Sequence, residues 1–310
     1  MKSALLGLVL VFLTLTSSAQ NATAVRNTEP VDNNTLLWRI SGNGLEKPTY
    51  LFGTIHMLCA SQIDLSDSLR AAIKSSDCVY LELDMNNITE VSGVVNRMKM
   101  NGDTTLADLL TAEEYQSVKN FFNDKPGLLP FSMLEKLKPM LAASSLMEMD
   151  MDCDQPIAVE QLIMIESKKQ EKEIKGLETM AFQMSIFDSI PYRNQARQLV
   201  DYVKNYGKKD AKKQYDELVA AYLNQQMDKL ESISSRDDVL LNNFLDVLLY
   251  RRNVTWVSKL ETLMKNNSLV VAVGAGHLPG DKGVINLLKK AGYTVEPVTN
   301  NMLKKFEKQL

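Results

Sequence analysis

The sequence predicts an α/β fold in which two related β-(GxxH)-α-β halves form a mixed-sheet core, with a large helical insert between them. The pattern glycine-x-x-histidine occurs twice, at Gly53–His56 and at Gly274–His277, and each copy directly follows an apolar run that is typical of a buried strand. Between the two copies, from 101 to 265, apolar residues recur mainly at helical spacing. Polar groups that follow buried strands are typical of ligand sites in open α/β sheets.

The first half opens with a hairpin. Leu36–Ile40 and Thr49–Phe52 are short apolar segments on either side of an Asn43-Gly44 turn signal, which predicts two antiparallel strands. After the first histidine, apolar positions at helical spacing predict a helix over Asp64–Ser75. Cys78–Leu83 then predicts a short strand, so the order is strand, histidine loop, helix, strand.

The second half repeats this order. Ser268–Val273 predicts a buried strand, Lys282–Ala291 a helix, and Tyr293–Pro297 a closing strand. The insert is predicted to contain one further strand, Glu173–Leu177. Its main predicted helices cover Pro156–Lys169, Gln195–Asn205, Lys209–Glu231 and Val239–Lys265.

The N-terminus has the order of a secretory signal peptide. Lys2 is followed by an apolar run, Ala4–Leu15, and by the small residues of Ser17–Ala19. At about 12 residues the run is shorter than a usual membrane span, and an uncleaved anchor is the alternative interpretation. We therefore expect an exported protein, periplasmic or extracellular, with only transient membrane association through the signal segment.

These boundaries predict one folded domain behind a leader. The signal peptide covers 1–19 and a polar, flexible lead-in covers 20–34. The rest, 35–310, is predicted to be a single domain. It divides into the first half, the mainly helical insert and the second half, at 35–100, 101–265 and 266–310.

Composition narrows the range of functions. The 310 residues include 45% hydrophobic and 24% charged side chains, which is ordinary for a globular protein and excludes disordered and collagen-like chains. The formal net charge of -3 comes without the dense basic face that a phosphate backbone requires, so nucleic acid is not expected as a partner. Only 2 histidines are present, which leaves few choices for chemistry near neutral pH.

The three cysteines, Cys59, Cys78 and Cys153, predict neither a disulfide framework nor a zinc-thiolate site. Their number is odd and their spacing is wide, whereas such sites use paired, closely spaced cysteines. Cys59 lies three residues after His56, but we expect it to be a small buried side chain rather than a reactive thiol.

The two histidines are the leading candidates for chemistry. Brought together by the two halves, His56 and His277 can serve as metal ligands or as a general acid and base. A structural role at two strand ends is the alternative. Glu82 and Asp84 end the strand after His56, where a carboxylate can bind a metal or hold an imidazole tautomer. A solvent-facing pair of carboxylates is the alternative for these two acids.

Two other patterns bear on the site. Arg251, Arg252 and Asn253 interrupt an apolar helix face, where a guanidinium can clamp a substrate carboxylate or stabilise an oxyanion; a surface arginine is the alternative. The glycines from Gly274 to Gly280, with Glu296 beyond them, partly match a dinucleotide-binding loop. The chain ends too soon after them for a doubly wound sheet to be completed, which argues against that interpretation.

Several motifs, taken in order, resemble the TraB/GumN family, which is related to the Tiki metalloproteases. They are Leu36–Ile40, Pro48–His56, Leu81–Asp84, Gly176–Thr179, Arg252-Asn253 and Gly274–His277. The resemblance implies an α/β fold of two related halves with a helical insert, and a site made by the two histidines with Glu82. Carried over by motif, Arg252 is a catalytic and substrate-binding residue, and Asn253 is a substrate-binding residue that completes the same pocket. Glu178 is carried over as a further substrate-binding residue, with a structural role as the alternative.

We therefore expect an exported metal-dependent hydrolase, in the first place a peptidase. His56, Glu82 and His277 would hold a divalent ion, Mn²⁺, Co²⁺ or Zn²⁺, that acidifies a bound water and polarises the scissile carbonyl. The partner is then a peptide or a small-molecule substrate. Two alternatives stay open: a metal-free esterase or amidase with a histidine base oriented by a carboxylate, and a protein that binds peptides without cutting them.

Overall fold

The computed structural model describes residues 34–87, 93–125, 130–149, 151, 153–234 and 244–302. Within them the protein is mixed α/β and contains a six-stranded mixed sheet, which confirms the predicted fold class. The predicted signal peptide, 1–19, and all but the last residue of the predicted lead-in, 20–34, lie outside the described residues. No helix in the described part is long and apolar enough to cross a membrane.

Eight strands are described, and six of them form one sheet. In chain order the strands are β1 (Leu37–Ser41), β2 (Thr49–Thr54), β3 (Leu58–Cys59), β4 (Cys78–Leu83), β5 (Pro156–Ile157), β6 (Glu173–Glu178), β7 (Leu269–Gly274) and β8 (Thr294–Pro297). The large sheet has the order β6-β4-β7-β2-β1-β8. Strands β6, β4, β7 and β2 are parallel, whereas β1 pairs antiparallel with both β2 and β8. Strands β3 and β5 form a separate antiparallel pair.

Strand β7 is one of the two central strands of the sheet and pairs with β2 on one side and β4 on the other. Its residues Leu269–Val273 are all buried, as a parallel strand covered on both faces requires. Gly53 in β2 permits a close approach here, because a Cβ atom at this position would lie 3.0 Å from Leu36 Cδ2 and 3.2 Å from Ala275 Cα. A larger residue would push β2 away from the turn that follows β7.

Twelve α-helices are described, in addition to short 3₁₀ and π turns. In chain order they are α1 (Asp67–Ser75), α2 (Leu106–Leu109), α3 (Ala112–Asn123), α4 (Phe131–Leu134), α5 (Pro139–Met149), α6 (Val159–Lys169), α7 (Met180–Asp188), α8 (Tyr192–Asn205), α9 (Lys209–Leu223), α10 (Met227–Ser234), α11 (Arg251–Leu263) and α12 (Val284–Lys290). A 3₁₀ turn covers Val95–Met98, a second covers Ala275–His277, and a π turn covers Asp246–Tyr250, directly before α11.

Most of these helices lie in the predicted insert, 101–265, which confirms its helical character. Apolar side chains of α2, α3, α4, α5 and α8 pack in a cluster of their own, separate from the cluster around the sheet. This separate cluster includes Leu106, Val118, Phe122, Leu134, Leu146 and Leu199. The insert is therefore stabilised in part by apolar contacts that do not involve the sheet.

Several predicted helices have other ends in the structure, and some are interrupted. The helix predicted from Pro156 begins at Val159, because Pro156 starts strand β5 and pairs with β3. The helix predicted over Lys209–Glu231 is interrupted near Gln225, which adopts a positive φ of 55°. The helix predicted over Val239–Lys265 opens, within the described residues, with irregular helical turns that precede α11. Helical spacing predicts the helices themselves better than their ends.

The two histidine-bearing units interlock in the sheet. Strand β7, which opens the second unit, lies between β2 and β4, which belong to the first. Because β2 and β7 are parallel neighbours, with Thr54 opposite Gly274, both GxxH segments leave the sheet at the same edge. That the two units are related halves stays a prediction.

The cysteine prediction is wrong in one respect, because Cys59 and Cys153 form a disulfide. Their Cα atoms are 5.7 Å apart, although 94 positions separate them in the chain. The pairing of β3 with β5 brings the two segments together, and cysteine spacing alone cannot reveal such a contact. Cys59 is therefore not simply a small buried side chain. Cys78 is free and buried.

Candidate functional site

The carboxyl ends of the parallel strands carry a buried group of polar side chains, Glu82, Glu178, Arg252 and His277, called here the Arg252 cluster. Glu82 lies near the end of β4, Glu178 ends β6, and His277 comes three residues after the end of β7. Arg252, in the first turn of α11, reaches all three. Neighbouring parallel strands end at one edge of a sheet, which is the usual location of ligand sites in α/β folds.

Arg252 is the centre of this cluster. Its side chain is 10% exposed, and its Nη2 donates to Glu82 Oε2 at 2.6 Å and to Glu178 Oε2 at 2.8 Å. Its Nε lies 3.1 Å from both Glu178 oxygens, and Nη1 donates to the carbonyl of Leu248 at 2.8 Å. Burial lowers the pKa of Arg252, but the Glu178 hydrogen bonds and the charge of Glu82 outweigh this effect and raise it. Arg252 is thus buried, and its neighbour Arg251 is the exposed arginine.

Glu178 holds the guanidinium in place. Its side chain is 4% exposed, and besides Arg252 it accepts hydrogen bonds from Trp256 Nε1 at 2.8 Å and from Gln183 Nε2 at 3.1 Å. The Trp256 ring also stacks against the guanidinium, with 4.7 Å between the ring centroid and Cζ. Glu178 and Trp256 thus both contact Arg252 and each other, an arrangement that is consistent with a structural role for Glu178.

Glu82 lies between Arg252 and the turn after β7. Its Oε1 accepts a hydrogen bond from the backbone N–H of Gly274 at 2.8 Å, and its Oε2 accepts from Arg252 and, at 3.2 Å, from Gln183 Nε2. Burial raises the pKa of Glu82, but the charge interactions with His277 and Arg252 outweigh this effect and lower it to about 2. The side chain is therefore an ionised carboxylate at neutral pH.

His277 is buried and held as one neutral tautomer. Its Nδ1 lies 2.6 Å from Asn253 Oδ1. Asn253 Nδ2 donates to the carbonyls of His277 and Lys282, so Oδ1 is the acceptor and His277 Nδ1 carries the proton. The ring Nε2 then holds a lone pair, 3.2 Å from Arg252 Nη1 and 3.8 Å from Glu82 Oε1. Burial lowers the pKa of His277 to about 4, which keeps the imidazole neutral at neutral pH.

His56 has a different environment. Its side chain is 72% exposed, and its Nδ1 lies 2.8 Å from Glu160 Oε1, which also accepts a hydrogen bond from Thr54 Oγ1 at 2.5 Å. The hydrogen bond with Glu160 raises the pKa of His56 to about 9. Burial raises the pKa of Glu160, but the hydrogen bond and charge of His56 lower it overall. Among the described residues, no hydrogen bond or ion pair joins His56 to Glu82 or His277.

The sequence does not predict three residues that the structure adds to the site, Glu160, Gln183 and Trp256. Trp256 follows Arg252 by four residues, one helical turn, so its place on the same helix face is a usable signal. Glu160 and Gln183 lie in the first turns of α6 and α7, and only the tertiary structure brings them to the strand ends.

Two other residues considered from the sequence lie apart from the Arg252 cluster. Asp84 accepts a hydrogen bond from the backbone N–H of Asn86 at 2.9 Å, in a local turn after β4. Glu296, the acid that a dinucleotide loop would need, lies on β8 and pairs with Arg39 at 3.2 Å. Strands β2 and β1 stand between β7 and β8, so Glu296 is not placed beside the glycine-rich turn.

The donor chemistry fits a divalent ion at two of the three predicted ligands. A metal-binding imidazole must be neutral, and a metal-binding carboxylate must be ionised. His277 Nε2 and Glu82 Oε1 meet these conditions and lie 3.8 Å apart. Two ligands of one ion, at bond lengths of about 2.1 Å, lie roughly 3.4 Å apart in a tetrahedral site. A small movement of His277 Nε2 and Glu82 Oε1 toward each other would therefore suffice.

The third predicted ligand, His56, contacts Glu160 instead, and with its pKa raised to about 9 it would have to lose a proton before it could bind an ion at neutral pH. Within the part of the chain that the structure describes, no group of three or more His, Cys, Asp or Glu side chains is assembled to hold a metal ion. Binding through all three predicted ligands therefore requires His56 to approach the pair of His277 and Glu82.

Fold and site together define a class of protein: a mixed α/β protein with a histidine–arginine–glutamate cluster at the carboxyl edge of its parallel strands and a second histidine in the neighbouring loop. A sequence profile of the TraB/PrgY/gumN family matches residues 36–297, which include every strand named above. The chain belongs to the TraB/PrgY/gumN family, and the family resemblance of its motifs is thereby confirmed.

Similar proteins include several that are named metalloproteases. Metalloprotease TIKI1 of Danio rerio is 24% identical over an alignment that covers 87% of this chain and 64% of that protein. Metalloprotease TIKI1 of Xenopus tropicalis is 23% identical, over 93% of this chain and 66% of that protein. The protein YbaP of Escherichia coli (strain K12) is 24% identical, over 77% of this chain and 87% of that protein.

The chain spans slightly less than two thirds of the length of these two TIKI1 proteins, at 64% and 66%. No solved structure matches the chain. The names of these distant relatives suggest metal-dependent proteolysis, and with it a divalent metal, within the family.

Proposed function

We propose that this protein is a metal-dependent hydrolase that cleaves peptide bonds. The observation that carries the proposal is the pair of His277 Nε2 and Glu82 Oε1, an unprotonated imidazole nitrogen and an ionised carboxylate that lie 3.8 Å apart in a buried site. The relatives named metalloproteases support the same class of reaction. His277, Glu82 and His56 would hold the ion, and the chemistry supplied with it is an acidified water and a polarised carbonyl.

The surrounding side chains orient these groups and contact the substrate. Asn253 accepts the Nδ1–H of His277 and so keeps the lone pair on Nε2. Glu178 and Trp256 hold the Arg252 guanidinium beside His277 and Glu82. Arg252 Nη1–H faces the lone pair of His277 Nε2. If that lone pair bound another partner, the Nη1–H would be free to stabilise an oxyanion or bind a substrate carboxylate.

Metal affinity of the mature chain tests the proposal. We expect wild type to bind Mn²⁺, Co²⁺ or Zn²⁺, and His277→Ala, Glu82→Gln and His56→Ala to bind more weakly by at least about tenfold. Asp84→Asn is the matched control, because it removes a carboxylate from the same strand end outside the Arg252 cluster. It should bind as wild type does. Wild-type protein that binds none of the three ions, or His277→Ala that binds as well as wild type, would refute the proposal.

A metal-free esterase or amidase is the second candidate, and one observation favours it. The exposed His56 imidazole contacts the Glu160 carboxylate, as a histidine base contacts a carboxylate in many hydrolases. Because the pKa of His56 is about 9, the neutral base would form mainly at alkaline pH. Hydrolysis that survives chelation and increases toward pH 9 would support this candidate, whereas loss of all hydrolysis on chelation would exclude it.

The third candidate is a protein that binds peptides without cutting them. Arg252 would then contact peptide carboxylates, and the histidines would contribute only to binding. Prolonged incubation with labelled peptides, followed by mass spectrometry, separates the candidates. Intact peptide recovered from a stable complex supports this one, and cleavage products exclude it.

We also propose that the protein is exported to the periplasm or the extracellular space, after transient contact of its signal segment with the membrane. The N-terminal pattern supports export, and so does the Cys59–Cys153 disulfide, because disulfides persist mainly in oxidising compartments. N-terminal sequencing of protein from fractionated cells tests this. A mature start near Gln20 in the exported fraction is the expected result, and an uncleaved chain in the cytoplasm is the contrary one.

A further inference from the structure

The carboxylate of Glu160 lies at the first histidine loop, outside the Arg252 cluster. Its Oε1 is 2.8 Å from His56 Nδ1 and 2.5 Å from Thr54 Oγ1. Glu160 is the second residue of α6, so the helix start sets its position. Its side chain is 18% exposed, whereas the imidazole that it holds is largely exposed. A mostly buried carboxylate thus reaches one nitrogen of an exposed histidine.

The helix start that carries Glu160 is tied to the histidine loop through the main chain. The backbone N–H of Val159 donates to the carbonyl of Ile55 at 3.1 Å, one residue before His56. Strand β3, just after the histidine, pairs with β5, just before the helix. The Cys59–Cys153 disulfide joins the same two segments. The separation of His56 from Glu160 is therefore set by the backbone and a covalent bond as well as by the side chains.

The second carboxylate oxygen, Glu160 Oε2, is buried and has no hydrogen-bond partner among the described residues. Burial of such an atom is unfavourable, and packing alone does not account for it. An uncharged acceptor would satisfy Thr54 Oγ1 equally well. By contrast, Glu166 on the same helix pairs with Arg70, as a structural carboxylate does. The charge of Glu160 is instead directed to an exposed histidine.

We propose that Glu160 is the positioning residue of His56. By accepting the Nδ1–H hydrogen bond, Glu160 fixes the ring orientation, so that Nε2 is the atom that binds an ion or a substrate once it has given up its own proton. His56 and His277 are then presented through the same ring nitrogen, because Glu160 and Asn253 each hold one Nδ1–H. The inference rests on the proposed function in one respect, which is the place of His56 in the site. The contact between Glu160 and His56 does not depend on that function.

Nitrogen-15 NMR of the full mature protein with labelled histidine tests this inference, because the chain has 2 histidines and His277→Gln identifies the signals of the other. Above the His56 pKa of about 9, we expect the neutral Nδ1–H tautomer in wild type. Glu160→Ala removes the acceptor, so we expect the Nε2–H tautomer that an unconstrained imidazole favours. Glu160→Gln retains an acceptor oxygen and should restore the Nδ1–H tautomer.

Glu166→Gln is the matched control, because it neutralises a buried carboxylate on the same helix that contacts Arg70 rather than His56. It should leave the His56 signals unchanged. Should Glu160→Ala fail to fold by circular dichroism, Glu160→Leu, which is close to glutamate in size, carries the same expectation. A folded variant without the acceptor that still shows the Nδ1–H tautomer would overturn the inference.

A Zn²⁺ titration of the same samples separates this inference from the proposed function. We expect Zn²⁺ to shift the Nε2 signals of His56 and His277 in wild type, and Glu160→Ala to bind about 10–100-fold more weakly. Equal affinity of Glu160→Ala and wild type would overturn the role of Glu160 in presenting Nε2. Spectra that Zn²⁺ leaves unchanged would count against a zinc-dependent hydrolase, whereas the tautomer comparison would still decide whether Glu160 positions His56.

Discussion

Arg252 and Glu178 form a buried ion pair in which the guanidinium donates to both carboxylate oxygens. Nε lies 3.1 Å from each oxygen, and Nη2 lies 2.8 Å from Oε2. The same guanidinium contacts Glu82 and the lone pair of His277. Arg252 is thus the cation that compensates two buried carboxylates at the strand ends, and the stability of the whole cluster depends on it.

Arg252→Met should lower the free energy of unfolding by about 3–5 kcal/mol, because buried carboxylates lose their compensating charge. Glu82 and Glu178 would also repel each other. Urea unfolding at neutral pH measures the loss. Arg251→Met is the control, since this exposed arginine pairs with the exposed Asp246, and it should change the free energy by less than about 0.5 kcal/mol. Equal losses in the two variants would contradict the structural account of Arg252.

The two histidines show how far the sequence alone leads. Strand and glycine patterns predict that each follows a buried strand, and β2 and β7 do lie side by side. The patterns do not predict that His277 is buried and His56 exposed, because burial depends on which helix covers the edge of the sheet. Helix α11 covers His277 through Trp256, whose ring centroid is 4.4 Å from that of the imidazole.

The partners of the histidines show where sequence reasoning stops. The sequence points to Arg252 and Asn253 as candidate site residues, because they interrupt an apolar helix face. Burial of polar side chains on such a face is unfavourable unless they have hydrogen-bond partners. Glu160 and Gln183 look like ordinary polar residues in a first helical turn, where an acid is favourable for the helix itself. The Cys59–Cys153 disulfide joins segments 94 positions apart, and local spacing carries no information about such contacts.

His277 should make stability decrease as the pH is lowered from 6.5 to about 4. Its pKa falls from the ordinary value of 6.5 to about 4 on folding, so in this range the unfolded chain binds a proton that the folded chain excludes. The contribution levels off below pH 4. Glu82, whose pKa falls from 4.5 to about 2, acts in the same direction at lower pH. Urea unfolding at intervals between pH 7 and pH 4 measures the slope.

His277→Gln should flatten this part of the pH profile, because glutamine does not titrate. His56→Gln is the comparison variant. In wild type, the hydrogen bond with Glu160 raises the pKa of His56 from 6.5 to about 9. The contribution of His56 to the free energy of unfolding is therefore present below pH 6.5 and lost as the pH rises toward 9. With the same measurement extended to pH 9, its removal should abolish the loss between pH 6.5 and pH 9, whereas His277→Gln should retain that loss. A wild-type slope that persists in His277→Gln would show that other groups cause the acid sensitivity.

Asn253→Asp should raise the pKa of His277 above its value of about 4, because a carboxylate would replace the amide oxygen that accepts the Nδ1–H. Asn253→Ala should instead free the tautomer and weaken divalent-ion binding by about 10–100-fold. Nitrogen-15 NMR and ion titration measure the two effects. Asn286→Ala is the control, since its amide contacts Asp281. An unshifted pKa in Asn253→Asp would mean that Asn253 does not control the protonation of the ring.

Reduction of the Cys59–Cys153 disulfide should lower the free energy of unfolding by about 2–4 kcal/mol, because the bond closes a long loop of the unfolded chain. It should also loosen the contact between His56 and Glu160, since the bond joins the segments that carry them. Urea unfolding with and without dithiothreitol measures the first effect, and the His56 nitrogen-15 signals report the second. The double variant Cys59→Ser, Cys153→Ser should match reduced wild type and ignore the reductant. If dithiothreitol destabilises the double variant as well, the loss does not come from this bond.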